Sequence, residues 1–269
     1  MFGYVPPVPR ARMPMSVAHA GVIAPAWREL VAASTSGRIR RARRGLVLDL
    51  DDTLYPRERF VRSGLAAVAH HVSTTYRIPS DLAYGVMLRA SALDGNGSEL
   101  QALCSRFSLP FDIVPQLVEI IRTHTPSLFL GHEVADALRR LRADGWGLAV
   151  LTNGLPSVQF RKVAALGLAS LVDEIIYAEE HAAGGKPSAA PFRAALTSLE
   201  LTAGQCVCVG DDAARDMRGA KAIGMRTIRV ARLGLTVDLV DEADIVIDSL
   251  RHLPDAASLL VTTERADVA

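Results

Sequence analysis

Six short runs of aliphatic and β-branched residues, spaced along the chain and separated by amphipathic stretches, constrain this sequence more than any other feature. They are LVLDL (46–50), GLAVLT (147–152), EIIYA (174–178), CVCVG (206–210), RTIRV (226–230) and DIVI (244–247). Runs this continuously apolar suit strands covered on both faces, which is the condition of a parallel sheet. Between them, residues 131–145, 156–167, 189–200 and 212–224 carry apolar side chains three and four apart, and Gly145, Gly167 and Gly224 stop three of these helices. The alternation predicts an α/β fold, a Rossmann-like doubly wound parallel sheet.

One stretch breaks the alternation. From Phe60 to Leu128, about 70 residues show only helical periodicity, with turn signals at RIPSD, LDGNGS, SLPFD and HTPS. That is too long for one crossover helix and reads as an inserted helical domain that leaves the sheet after the first strand and returns before the second. The expected organisation is a leader over 1–44, a core over 45–56 and 129–260, a helical insertion over 57–128 and a tail over 261–269.

Charge separates the leader from the rest. Residues 1–44 hold eight Arg and one acid, net +7, leaving 22 basic and 28 acidic residues, net −6, in a chain whose formal total is +1. The leader, with YVPPVPRARMP at one end and SGRIRRARR at the other, reads as a solvated tail. It lacks the interleaved aromatics of a nucleic-acid surface, so contact with nucleic acid or acidic lipid is only a minor alternative for it. Cys104, Cys206 and Cys208 form an odd set without zinc-ligand spacing, which fits a reducing compartment. Cys206 and Cys208, two apart in an apolar run, are expected on one strand face as small buried hydrophobes. No apolar run approaches the roughly 18 residues needed to span a bilayer, so the expected location is the cytoplasm, with no membrane partner.

Open α/β sheets bind ligands beyond the carboxyl ends of their strands. The first strand ends in Asp49-Leu50-Asp51-Asp52-Thr53, the second in Thr152-Asn153-Gly154 and the fourth in Gly210-Asp211-Asp212, with Asp216 in the following helix. Lys186 follows the third strand in AAGGKP. Carboxylates gathered this way repel one another unless they share a cation. Magnesium suits such a set, because it takes oxygen ligands, few of them protein carboxylates, and completes its shell with water and substrate phosphate. Asp49 and Asp211 are its natural ligands. Period-two geometry sends Asp49 and Asp51 to the same side and Asp52 to the other, as far as the strand persists. One carboxylate beside a phosphoryl group can attack phosphorus, while a second can protonate the leaving oxygen and later deprotonate water. Thr152 and Asn153 offer a hydroxyl and an amide to phosphoryl oxygens, and Lys186 would neutralise charge that builds in the transition state.

The ordered set DLDDT, LTNG, GGKP and GDDAARD closely resembles the four motifs of the haloacid dehalogenase-like (HAD) hydrolase superfamily, over Gly45 to about Leu250. The helical insertion directly after the first motif resembles the subgroup with an α-helical cap, which includes phosphoglycolate phosphatase-like enzymes. The resemblance implies Asp49 as a nucleophile that becomes an aspartyl-phosphate, and Asp51 as an acid/base whose backbone carbonyl also reaches magnesium. It implies Thr152 and Asn153 on the phosphate, Lys186 orienting nucleophile and phosphate, Asp211 as the second side-chain metal ligand and Asp216 supporting the metal site from behind. Asp212 has two readings, support for the metal site or an acid at a helix N-terminus.

Asp51 separates the reactions open to such a site. Dehalogenases of this superfamily have no second acid two residues after the nucleophile, because a leaving halide needs no proton. The expected activity is Mg²⁺-dependent hydrolysis of a small phosphomonoester, with a small phosphorylated metabolite as partner. Two alternatives stand beside it: a phosphomutase of the β-phosphoglucomutase type, which would use the same groups, and a non-catalytic binding or scaffold protein on the same fold.

Overall fold

The computed structural model describes residues 44–94, 97–231 and 243–261. The leader up to residue 43 and the tail from 262 lie outside the described residues.

Six parallel strands form one sheet: β1 (Arg44–Leu48), β2 (Trp146–Thr152), β3 (Glu174–Tyr177), β4 (Cys206–Gly210), β5 (Arg226–Val230) and β6 (Ile245–Ile247), in the order β3-β2-β1-β4-β5-β6. The chain thus winds outward from β1 to β3, returns to set β4 against the other side of β1, and winds outward again. The register aligns Leu48 of β1 with Val150 of β2 and Val209 of β4. Period-two alternation divides the strand side chains between two cores. Leu46, Leu48, Leu148, Val150, Val207 and Val209 face one of them, packed on helices α5 (His132–Ala143), α6 (Pro156–Ala165) and α9 (Leu253–Leu260). Val47, Ala149, Leu151, Cys206 and Cys208 face the other, beneath α7 (Ala189–Leu199) and Met217 and Ala220. Both strand cysteines therefore lie buried on one face, and Cys104 is buried as well.

Between β1 and β2 the chain forms α1 (Glu58–Tyr76), α2 (Ser80–Asp94), α3 (Glu99–Phe107) and α4 (Val114–Thr123). These helices bury a core of their own, with Leu65, Val68, Val72, Met87, Leu103 and Leu117 at its centre. Among the described residues no helix is long and apolar enough to cross a membrane.

Two differences from the sequence reading bear on the sheet edge where the acids lie. The first strand stops at Leu48 instead of running to Leu50, although the Asp49 N–H still donates to Val209 O at 2.8 Å. The helix expected over 212–224 opens with a π-helical turn, Ala213–Met217, before the short α8 (Arg218–Lys221). Wide turns of this kind relocate side chains at functional sites, and this one carries Asp216.

Candidate active site

β1 and β4 adjoin where the winding reverses, so the loops that leave their carboxyl ends diverge and open a crevice. Asp49 follows β1 directly and Asp211 follows β4. With Asp216 from the π turn, each offers a carboxylate oxygen, and the three oxygens lie within 4.8 Å of one another. Gly210 makes this crowding possible, because a Cβ there would collide with the Asp216 carboxylate.

Lys186 reaches this group from the loop after β3. Its Nζ donates to Asp49 Oδ1 at 2.5 Å and to Asp216 Oδ1 at 2.6 Å. The lysine side chain is 3% exposed. Asn153 fixes its backbone: Asn153 Oδ1 accepts from Lys186 N at 2.8 Å, and Asn153 Nδ2 donates to Lys186 O at 3.1 Å and to Gly184 O at 3.4 Å. Gly185 adopts φ +63° in this loop, and a Cβ on it would press against Asn153 Oδ1. The phosphate contact that sequence reasoning assigns to the Asn153 amide thus meets a side chain turned onto the Lys186 loop.

Burial raises the pKa of Asp49 above the ordinary carboxylate range; Lys186 works against the rise, while Asp216 and Asp51 add to it. Asp211 is pushed up to about 6 by burial and by the charges of Asp49 and Asp52. Burial also raises Asp216 against the pull of Lys186. Desolvation disfavours the Lys186 ammonium, but Asp49 and Asp216 together outweigh it and hold its pKa above the usual lysine value. Fully ionised, the three carboxylates and one ammonium carry a net charge of −2. That charge and a donor set made wholly of oxygen fit one hard divalent cation.

Asp51 is not one of the three gathered acids, although its charge acts on Asp49. The strand ends at Leu48, so Asp49 and Asp51 both lie in the loop beyond it. Asp52 takes a left-handed conformation at φ 61°, its N–H donates to Tyr55 O at 2.9 Å, and the chain curls back so that Asp51 bridges to Tyr55. The Asp51 carboxylate accepts from Lys162 Nζ at 2.8 Å on Oδ1 and 2.7 Å on Oδ2, and from Tyr55 Oη at 2.5 Å on Oδ1. Lys162 Nζ sits 4.5 Å from the centroid of the Phe60 ring at the start of α1. Burial lowers the Lys162 pKa, with Asp51 opposing.

Thr152, at the end of β2, is buried, and among the described residues its hydroxyl makes a long contact of 3.4 Å to Asn153 O. Asp212 Oδ1 accepts from Ala214 N at 2.9 Å and Arg215 N at 2.8 Å. Its carboxylate is engaged as the cap of the π turn and is absent from the gathered acids. Arg62 pairs with Glu58 on the surface of α1, and Arg59 stacks on Phe129 at 3.9 Å.

Four residues of the site region escape sequence reasoning. Tyr55 and Lys162 hold Asp51. Thr53 Oγ1 donates to Asp211 Oδ1 at 3.3 Å, and Arg229 Nε to Asp211 O at 3.1 Å. Lys162 did leave a trace. Residues 159, 162, 163 and 166 share one helix face, and all four are buried. A Gln and a Lys therefore sit on the inward stripe of α6, where apolar residues belong.

Comparison with known proteins gives the family. Residues 44–224 match the family described as haloacid dehalogenase-like hydrolase. Glyceraldehyde 3-phosphate phosphatase of Methanocaldococcus jannaschii is 30% identical over 79% of this chain and 96% of its own. A HAD-hydrolase of Bacillus subtilis, solved bound to magnesium, superposes with TM-score 0.58 at 17% identity, over 80% of this chain and 99% of its own. A 2-haloacid dehalogenase of Pseudomonas syringae does so with TM-score 0.56 at 28% identity, over 80% and 98%.

Proposed function

Since the chain belongs to the haloacid dehalogenase-like hydrolases and has phosphatase relatives, we propose that it hydrolyses a small phosphomonoester through a covalent phosphate on Asp49. The observation that carries this reading is the convergence of Asp49, Asp211 and Asp216 at one crevice with Lys186 bonded to the first and third.

In the first half-reaction an Asp49 carboxylate oxygen attacks phosphorus and the bond from phosphorus to the ester oxygen breaks. Asp51 gives its proton to that leaving oxygen, which departs as an alcohol. In the second, a water molecule attacks phosphorus as its proton passes to Asp51, and the bond from phosphorus to Asp49 breaks. Inorganic phosphate leaves with Asp49 free and Asp51 protonated again. Lys186 has one N–H beyond the two it gives to Asp49 and Asp216, and this donor together with the Thr152 hydroxyl is suited to phosphoryl oxygens. Magnesium, held by Asp49, Asp211 and the Asp51 carbonyl with Asp216 behind, would screen the acids and draw electron density from the phosphoryl oxygens. Helices α1–α4, proposed as a cap over 57–128, would select the alcohol portion of the substrate.

A phosphomutase would use the same groups with a sugar hydroxyl in place of water, and the products separate the two readings. A dehalogenase reading lacks support in the site, since Asp51 is held in place where a leaving halide would need no acid. The test is phosphate release by the full chain with Mg²⁺ from p-nitrophenyl phosphate, acetyl phosphate and glyceraldehyde 3-phosphate. Asp49→Asn should lower turnover by at least about 10⁴-fold, the scale on which loss of a covalent nucleophile is felt. A wild-type protein inert towards all three and towards a wide phosphomonoester panel would favour the scaffold reading, and an active Asp49→Asn variant would remove Asp49 as nucleophile.

A further inference from the structure

Lys162 and Tyr55 have no part in the steps above, yet both are buried and both end on the same carboxylate. Resting on the phosphatase reading, we infer that Lys162 and Tyr55 are positioning residues that fix Asp51 and leave a single oxygen, Oδ2, to exchange its proton with the substrate.

A carboxylate offers about two acceptor sites on each oxygen. Oδ1 takes both Tyr55 Oη and Lys162 Nζ, which fills it. Oδ2 takes only Lys162, at 2.7 Å, and keeps one site open. Two donors on separate elements, the Tyr55 loop and α6, therefore stop rotation of the carboxylate about its own axis. Burying a lysine on the inward face of α6 has a desolvation cost that an exposed lysine would avoid. Holding an acid with two degrees of rotational freedom at one orientation is what that lysine supplies in return. The Phe60 ring, packed on the same ammonium, carries this arrangement to the first turn of α1, so the helical insertion begins against the group that sets the acid.

The step affected is protonation of the leaving oxygen: the Oδ2–H bond breaks as the alcohol O–H bond forms. A p-nitrophenolate ion leaves readily without a proton, whereas an alkoxide does not. Comparing kcat/KM, which reports the steps through phosphoryl transfer, for p-nitrophenyl phosphate and glyceraldehyde 3-phosphate therefore isolates the acid. Lys162→Met should lower kcat/KM for the alkyl ester about 100-fold and for the aryl ester less than about 5-fold, following the usual range of general acid catalysis. Tyr55→Phe keeps the ring and removes one donor; it should show the same bias at about one-tenth the size.

Equal losses on both esters in Lys162→Met, or no loss on the alkyl ester, would overturn the positioning role. Should Lys162→Met not fold, Tyr55→Phe decides, and a Tyr55→Phe variant without leaving-group bias overturns it equally. Wild-type protein that turns over neither ester refutes the phosphatase reading itself, a result distinct from either.

Discussion

Lys186 and Lys162 are both buried, and each binds an acid from the same few residues after β1, but they are built differently. Lys186 stands in a loop and divides its ammonium between Asp49 and Asp216, two acids from different elements, beside a third. Lys162 stands inside a helix and gives both its hydrogen bonds to one carboxylate, which also has Tyr55. The first arrangement remains anionic and suits a cation and a phosphoryl group. The second is neutral, leaves only one site on Asp51 Oδ2 open, and suits holding one group still. A lysine near an active-site acid thus takes its role from how many carboxylates it must satisfy.

The sharpest test of this contrast replaces each lysine by Met without added metal. Lys186→Met leaves Asp49 and Asp216 without their shared counterion, and should cost about 3 kcal/mol in urea unfolding at pH 8; assayed separately with Mg²⁺, it should lower kcat about 10²–10³-fold. Lys162→Met leaves Asp51 with Tyr55 and some solvent, and should cost only about 1–2 kcal/mol. The Lys186→Met penalty should also shrink at pH 5. Asp49 and Asp216 already have raised pKa values, so without the ammonium they bind protons more readily in the folded than in the unfolded chain, and ionising them as pH rises is what destabilises. Equal penalties for the two lysines would erase the distinction.

A smaller effect should come from magnesium. Asp211, held at about 6, shares the anionic cluster and takes up a proton as pH falls through that value. Above it the ionised acids repel one another and a cation relieves them. Mg²⁺ should therefore raise Tm by about 5 °C at pH 7.5 and by less than half as much at pH 5, with EDTA reversing both. A shift independent of pH would place the ion away from Asp211. Smallest of all, Asp212→Ala should lose one cap, about 1 kcal/mol by thermal unfolding. If Mg²⁺ affinity fell as far as in Asp211→Ala, the Asp212 carboxylate would be serving the ion rather than the turn.

Residues legible in the sequence share a position at a strand end. Asp49, Thr152 and Asp211 follow apolar runs whose termini must meet on one edge, so charge there has a physical meaning before any coordinates exist. Lys186 is legible beside them because it follows the third such run. Residues that act from helix faces are harder to read. Lys162 looks like one of the ordinary polar positions of PSVQFRKVAALG until the register with Gln159, Val163 and Leu166 turns it inward. Tyr55 depends on the left-handed turn at Asp52, which an aspartate signals only weakly, since glycine is the usual occupant of that conformation. The two roles open for Asp212 could not be separated in one dimension either, because capping and metal support ask for the same carboxylate at the same place.

The Arg57 N–H donates to Asp52 Oδ1 at 2.9 Å, one residue before α1 begins. That bond joins the two ends of a six-residue stretch, so the root of α1 is tied to the loop that carries Asp51 and Asp52. On the proposed reading, in which α1–α4 select the alcohol, substitutions on those helices away from this root would change which alcohol is admitted while leaving the acids after β1 in place, so that one reaction would serve many metabolites.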